Sequence, residues 1–409
     1  MNATAALESA PRCDLRTEVI DRLEELNKLR RGWERLAGID PHAGFFLSWE
    51  WMKTLLADNP GSWHVLVVRD GSDPQEIAAI LPLRHSFHWS ESSETCQTRY
   101  DAAGRFGLSD ATGFLCYPDR EDAALAALAQ CLSEMPWKRL SLRYVAAPHR
   151  ARRFADAFDP ERFRIHWPPY TDNAGRTDKL RVPTVALPGS FEAYLNETVS
   201  KSIRGKIRRF RRRYLDDGPY RITLTTPETF ARNADALQHL WRARWSDTLS
   251  PQVMRSYQKK QRLLLERCQD MGTLFMPVLW RDRHPIGVLA RLIDRRKKTM
   301  TGMIAARDHR DALPCIGLLL NAFCIEAAIR MALTSYELGH GNEPYKYQYG
   351  ASDKHLAYLT LRRRGGDTPD VFSPASTAGA ARRAQNELRQ GAHGRTMGIL
   401  RQIEDVCEG

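Results

Sequence analysis

The sequence has no apolar run long enough to cross a membrane. Its longest, Cys315 to Ile329, is interrupted by Asn321 and Glu326. It falls short of the ~18–20 residues that a span requires. The opening stretch MNATAALESAPRCDLRTE has neither a basic start nor an apolar core, so a secretory signal is not expected there. The eight cysteines (Cys13, Cys96, Cys116, Cys131, Cys268, Cys315, Cys324 and Cys407) form no C-x-x-C pair and no His/Cys cluster at zinc-ligand spacing. They read as reduced, mostly buried thiols, so the expectation is a cytoplasmic protein without a metal cofactor. There is no G-x-S-x-G elbow, which argues against a serine nucleophile. No helix-turn-helix or zinc-finger pattern supports sequence-specific DNA reading.

What is present suits a globular chain of two or three domains. It has 409 residues, 43% of them hydrophobic and 27% charged, with ten Trp and fourteen Phe. The net charge is +12, but eight of the basic residues sit in one stretch, SKSIRGKIRRFRRRY at 200–214, which has no acid. Without them the charge falls to +4, so the basicity is local.

Periodicity divides the chain into similar halves. Helical spacing runs through Ile20–Leu36 and Phe45–Leu56, with Ser48 as an N-cap. Strands are expected at Trp63–Arg69, Ile77–Arg84, Arg99–Ala103, Ala111–Tyr117 and Arg139–Val145, with a helix over Glu121–Leu132. After a Pro- and Arg-rich transition the pattern restarts with a strand at Arg181–Leu187. One helix is expected over Phe191–Tyr214. Its apolar residues form a single stripe, leaving Lys201, Arg204, Lys206, Arg208, Arg209 and Arg211–Arg213 on the surface. A strand, two helices and a three-strand meander (Thr273–Trp280, Ile286–Ile293, Thr299–Ala305) follow. Then come a buried helix over Cys315–Met331, a strand at Thr334–Leu338 and a closing strand at His355–Arg362. The expected organisation is a flexible N-terminus (1–15), two α/β units (16–180 and 181–365) and a flexible, partly helical tail (366–409).

Residues 334–350, TSYELGHGNEPYKYQYG, resemble the signature of the CelD-like acetyltransferases of cellulose and exopolysaccharide clusters, which are related to the FemAB aminoacyl transferases. The matching positions are Glu337, Gly341, Glu343, Tyr345 and Lys346. Phe45–Trp51 resembles the family's first helix, and the likeness covers most of 40–365. The resemblance implies an α+β fold of tandem GNAT-type units, each with a splayed, mostly antiparallel sheet flanked by helices. It implies an acyl donor, acetyl-CoA or another acyl-CoA, in the splay against a helix start. The implied acceptor is an amine or hydroxyl of a sugar or cell-envelope precursor.

Acyl transfer needs a positioned donor, a proton acceptor and hydrogen-bond donors for the developing oxyanion. Glu337, His340 and Glu343 are candidate proton acceptors. Tyr345 is the candidate proton donor, and Lys346 the candidate ligand of a phosphate or carboxylate. The stretch Arg307–Gly317 stands where the family's pyrophosphate loop lies, but it departs from the Q/R-x-x-G-x-G/A pattern. Arg307, Arg310 and Gly317 are its candidate donor contacts. That departure leaves an acylated tRNA or carrier protein open as donor. Lys201, Arg204 and Arg208 are further candidates for donor phosphates. Their helix would otherwise serve as a solvated face or dock on tRNA, a carrier protein or an anionic membrane. A non-catalytic assembly protein of the same fold is the rival reading.

Overall fold

The computed structural model describes residues 15–71, 73, 75–109, 111–311, 313, 315–364, 372 and 376–408. The expectation of a flexible 1–15 segment falls almost entirely outside these residues, as does the start of the tail. The chain forms two compact units, one running up to Pro168 and resuming at Leu356, the other spanning Pro169–His355.

The first unit carries an eight-stranded, mostly antiparallel sheet. Leu15–Ile20, Trp63–Asp70, Ile77–Ser90 and Thr95–Ala102 make a meander. Thr95–Ala102 then pairs in parallel with Arg139–Val145, and Ala357–Arg363 and Phe163–His166 complete the path. Helix Glu121–Glu134 buries Ala124, Leu125, Leu128, Ala129 and Leu132 against this sheet, an apolar stripe at helical spacing.

The second unit repeats the plan. Its order is Tyr220–Leu224, Pro277–Arg281, His284–Asp294, Thr299–Arg307, Ser335–Glu337, Arg181–Ala186 and Ser352–His355. Helix Ile316–Arg330 has eleven buried residues on all sides, the signature of a helix enclosed by its own core.

The expected boundary at 180/181 and the closing of the second unit by His355–Arg362 need correction. Strand 181–186 follows 163–166 in the chain yet takes the sixth place in the second sheet, and strand 357–363 takes that place in the first. The two units therefore exchange a strand. The tail also differs from the expected appendage. Helices Thr377–Arg389 and His393–Glu408 bury Ala380, Ala384 and Ile399 with Trp89, Cys96 and Phe372. Gln402 bonds both the N–H (2.6 Å) and the C=O (3.2 Å) of Cys96.

Three local expectations also change. Ile20–Leu36 is a strand end followed by helices Leu23–Lys28 and Arg30–Ile39. Ala111–Tyr117 shrinks to the two-residue strand Leu115–Cys116. The helix over 191–214 breaks at Val199, which is extended (φ −101°, ψ 154°), and Ser200 starts a new helix, Lys201–Phe210, its Oγ accepting from Ile203 N at 3.3 Å. An N-cap must leave helical φ/ψ to make that bond, so the cap and the break are one event.

His85 gives the first unit a pH signature. It is 7% exposed, stacks on His64 at 5.1 Å, and burial pushes its pKa from 6.5 down to about 3. The unfolded chain takes a proton below 6.5 that the folded chain refuses, so stability is present above that value and is lost as pH falls. We expect His85→Phe to remove a slope of about 1.4 kcal/mol per pH unit over that window. Urea melts of both proteins at several acidic pH values check this, and parallel stability curves would refute it.

Candidate active site

The second sheet contains one parallel pair, and it is short. Strands 299–307 and 335–337 are in register only from Thr299↔Ser335 to Thr301↔Glu337. Past Glu337 the chain stays with strand 181–186, as Leu338 N donates to Pro183 O (2.9 Å) and Gly341 N to Arg181 O (2.8 Å). Strand 299–307 runs on to Arg307, laddered among the described residues only to 284–294. The sheet thus parts at Thr301–Gly302, leaving one edge of 303–307 without a strand partner. Such an edge can pair with an extended, amide-bearing ligand.

Helix 316–330 starts beside this gap. Cys315, its N-cap, makes no side-chain cap bond, and the first turn holds no acid. Among the described residues no acceptor takes the N–H groups of Ile316, Gly317 or Leu318. A Cβ at Gly317 would meet nothing within 4 Å. The N–H groups of a first turn and the positive end of the helix dipole make such a start a place for an anion.

The 337–347 loop is shaped by Lys346. The residue is 3% exposed, and its ammonium donates to the carbonyls of Gly339 (3.1 Å), His340 (2.6 Å) and Gly341 (3.0 Å). Glu343 Oε2 lies 3.0 Å away as its ion-pair partner. Burial lowers the Lys346 pKa, opposed by Glu343. All three N–H bonds are used inside the protein. Lys346 is therefore a clamp on the loop rather than the ligand of a phosphate or carboxylate expected from the sequence.

Glu343 also faces Lys179 at 3.6 Å. Burial is the largest influence and raises its pKa, but the charge and hydrogen bond of Lys346, a backbone hydrogen bond and the charge of Lys179 together outweigh it, and the net shift is downward. A carboxylate so held is a weak base. Tyr345 is 55% exposed; partial burial, with the Glu343 charge, raises its pKa, and Arg291 and Arg307 oppose the rise. That arrangement suits a phenol that keeps its proton until a leaving group requires it. Glu337 accepts from Thr301 Oγ1 (2.9 Å) and pairs with Lys354 (2.8 Å). It faces away from Tyr336, since neighbours on a strand point to opposite faces. His340 is half-buried, its carbonyl held by Lys346.

The candidate donor residues divide. Arg307 ends strand 299–307 at the mouth of the gap, Gly317 lies in the open helix turn, and Arg310 is exposed in the loop between them. Of the other three, Arg208 lines a separate groove of about 380 Å³ together with Phe191, Ile207, Arg211 and Glu326. Arg208 pairs with Glu192 (2.6 Å) and Arg204 bonds Asn196 (3.1 Å), while Lys201 is exposed at the first helical position. Of these three, Arg208 alone pairs with a carboxylate among the described residues.

The corresponding place in the first unit is closed. There the parallel pair runs from Arg99↔Arg139 to Asp101↔Ser141. Beyond it Thr112 bridges Val145, and Ala146 N donates to Thr112 O at 3.3 Å. Gly113 (φ +129°) packs so closely that a Cβ would sit 2.9 Å from Val145 Cγ1. The helix after this gap begins with Glu121 and Asp122, which repel an anion at a helix start.

Sequence reasoning missed Arg291. It is 4% exposed, donates from Nη2 to Asn321 Oδ1 (2.8 Å) and lies over the Tyr336 ring at 5.3 Å. Asn321 Oδ1 also accepts from Tyr336 (2.7 Å), and Asn321 Nδ2 and Tyr349 both donate to Gly317 O (2.8 and 3.2 Å). The available signals were a charge inside the apolar strand IGVLARLI and an amide inside an apolar helix.

The order of these sheets and the parting of the second define a tandem GNAT-type α/β fold. Within it, residues 201–347 match the family model described as "Acetyltransferase (GNAT) domain". No curated protein matches the sequence. Among solved structures the chain is similar to FemX, at 10% identity and TM-score 0.56, covering 84% of this chain and 96% of that one. It is also similar to a conserved protein of unknown function from Bacteroides thetaiotaomicron VPI-5482, at 13% identity and TM-score 0.50, covering 85% and 100%. At these identities the likeness is one of fold.

Proposed function

We propose that the chain is an acyltransferase whose working unit is the second. It moves an acyl group from a coenzyme A thioester to an amine or hydroxyl of a sugar or cell-envelope precursor, as the CelD-like resemblance suggested. The observation that carries this reading is the parted sheet at Thr301–Gly302 leading to an open, acid-free helix start. The helix start receives the pyrophosphate with Arg307 beside it. The free edge of 303–307 pairs with the pantetheine amides, and the thioester lies toward Tyr345. Tyr345 protonates the departing thiolate. The first unit is a scaffold.

Calorimetry with coenzyme A tests this. The wild-type protein should bind it, and Gly317→Phe, which fills the open space at the helix start, should weaken binding about tenfold or more (about 1.4 kcal/mol or more) with an unchanged melting temperature. Equal affinity in both proteins, or no binding in either, would remove the second unit as the donor site.

A further inference from the structure

The second unit buries a charge, Arg291, that forms no ion pair among the described residues. An arginine keeps its proton at any physiological pH. Yet no described carboxylate forms an ion pair with Arg291. Its neighbours are the amide of Asn321, the thiol of Cys324 and the phenols of Tyr336 and Tyr345. Its Nε is buried without a hydrogen-bond partner. Buried charges are ordinarily paired, so an unpaired one calls for a counter-ion from outside.

Its position says where that counter-ion would lie. Arg291 is paired across the ladder with Gly302, the first residue past the end of the parallel register. A Cβ at Gly302 would occupy the space of the guanidinium and stand 3.2 Å from Glu337 O. The guanidinium is therefore at the vertex of the gap. Arg307, at the mouth, is five residues along the strand, roughly 17 Å away at strand rise. A donor whose phosphates sit at the mouth and whose arm runs along the edge brings its acyl end to the vertex.

We propose that Arg291 binds a carboxylate carried by the acyl group, so that the donor is a coenzyme A thioester of a dicarboxylic acid rather than of acetic acid. This rests on the acyltransferase reading of the second unit. In the reaction the acceptor amine attacks the thioester carbonyl, a C–N bond forms and the C–S bond breaks. The amine's proton leaves, the thiolate takes one to become free coenzyme A, and the distal carboxylate stays unchanged against the guanidinium. The same charge repels an acyl group bearing an ammonium, which disfavours an aminoacyl donor.

The test is calorimetry of the full chain with succinyl-CoA, glutaryl-CoA, acetyl-CoA and coenzyme A, together with thermal melts. Wild type should bind one of the dicarboxylic thioesters about tenfold more tightly than acetyl-CoA, a difference of about 1.4 kcal/mol. Arg291→Met should lose that preference, keep its affinity for coenzyme A, and melt at or above the wild-type temperature, because the free protein sheds a buried charge without an ion pair while Asn321 Oδ1 keeps its bond from Tyr336. Arg291→Lys, which keeps a charge, should retain part of the preference. Equal binding of acetyl and dicarboxylic thioesters by wild type would overturn the proposal and leave the acyltransferase reading standing. Failure of all four ligands to bind would remove both. A Met variant that melts well below wild type would make Arg291 a structural residue.

Discussion

Lys346→Met is expected to destabilise the protein by about 3–5 kcal/mol, the usual cost of removing one partner from a buried ion pair. The substitution keeps the length and apolar stem of the side chain, so the loss is chiefly that of the ammonium. Three carbonyls that now converge on it (Gly339, His340 and Gly341) would be left without their donor, and Glu343 would keep only Lys179 at 3.6 Å. Two of those residues, Gly339 and Gly341, hold positive φ (78° and 99°), a conformation that other residues adopt at a cost. Outside the clamp the path is held by Gly341 N donating to Arg181 O (2.8 Å) and by Asn342 Oδ1 accepting from Asp178 N (2.7 Å). Because the loop carries Glu343 and Tyr345, transfer activity should fall together with stability. Arginine should not rescue, since a planar fork does not converge on three carbonyls as an ammonium does. Urea denaturation measures the effect. A variant within 1 kcal/mol of wild type would show that the clamp matters little.

That loop shows what the residue pattern could and could not convey. The crowding of polar residues behind an apolar strand marked the region. The partners of Lys346, however, are backbone carbonyls, which no side-chain pattern records. The meander over 277–307 and the enclosed helix 316–330 were legible because period-2 alternation and continuous apolarity are strong signals. The strand exchange was not. Strands 181–186 and 357–363 are both short and largely buried, so either sheet could accept either strand on composition alone. Which gap stays open was hidden for a similar reason. It depends on Thr112 reaching Val145 and on two acids at one helix start, and these matter only once the two units are compared.

Asp40→Ala is the second large effect expected, again about 3–5 kcal/mol. Asp40 is fully buried and takes a bidentate pair from Arg150, 2.7 Å from Nη1 and 3.0 Å from Nη2. It also accepts the N–H of Cys116 (2.9 Å) and of His42 (2.7 Å). Arg150, 1% exposed, reaches Glu121 at 2.6 Å and the carbonyl of Phe114 at 3.3 Å. One ion pair thus ties helices 30–39, 121–134 and 148–156 to the segment that closes the first unit's gap. Without Asp40 the guanidinium keeps Glu121 and the long bond to the Phe114 carbonyl, and the Cys116 amide loses its acceptor. The double variant Asp40→Leu/Arg150→Met should recover most of the loss, because a buried pair exchanged for apolar groups is often neutral. Chemical denaturation of the two single variants and the double one forms the cycle. If Asp40→Ala costs less than 1 kcal/mol, the closed gap is held by packing and not by this pair. The buried arginines of the first unit are thus answered from within, Arg150 by Asp40 and Glu121, and Arg363 by the carbonyls of Ser133, Met135 and Trp137. That contrast is the physical reason to assign the first unit to support and to look for a ligand only in the second.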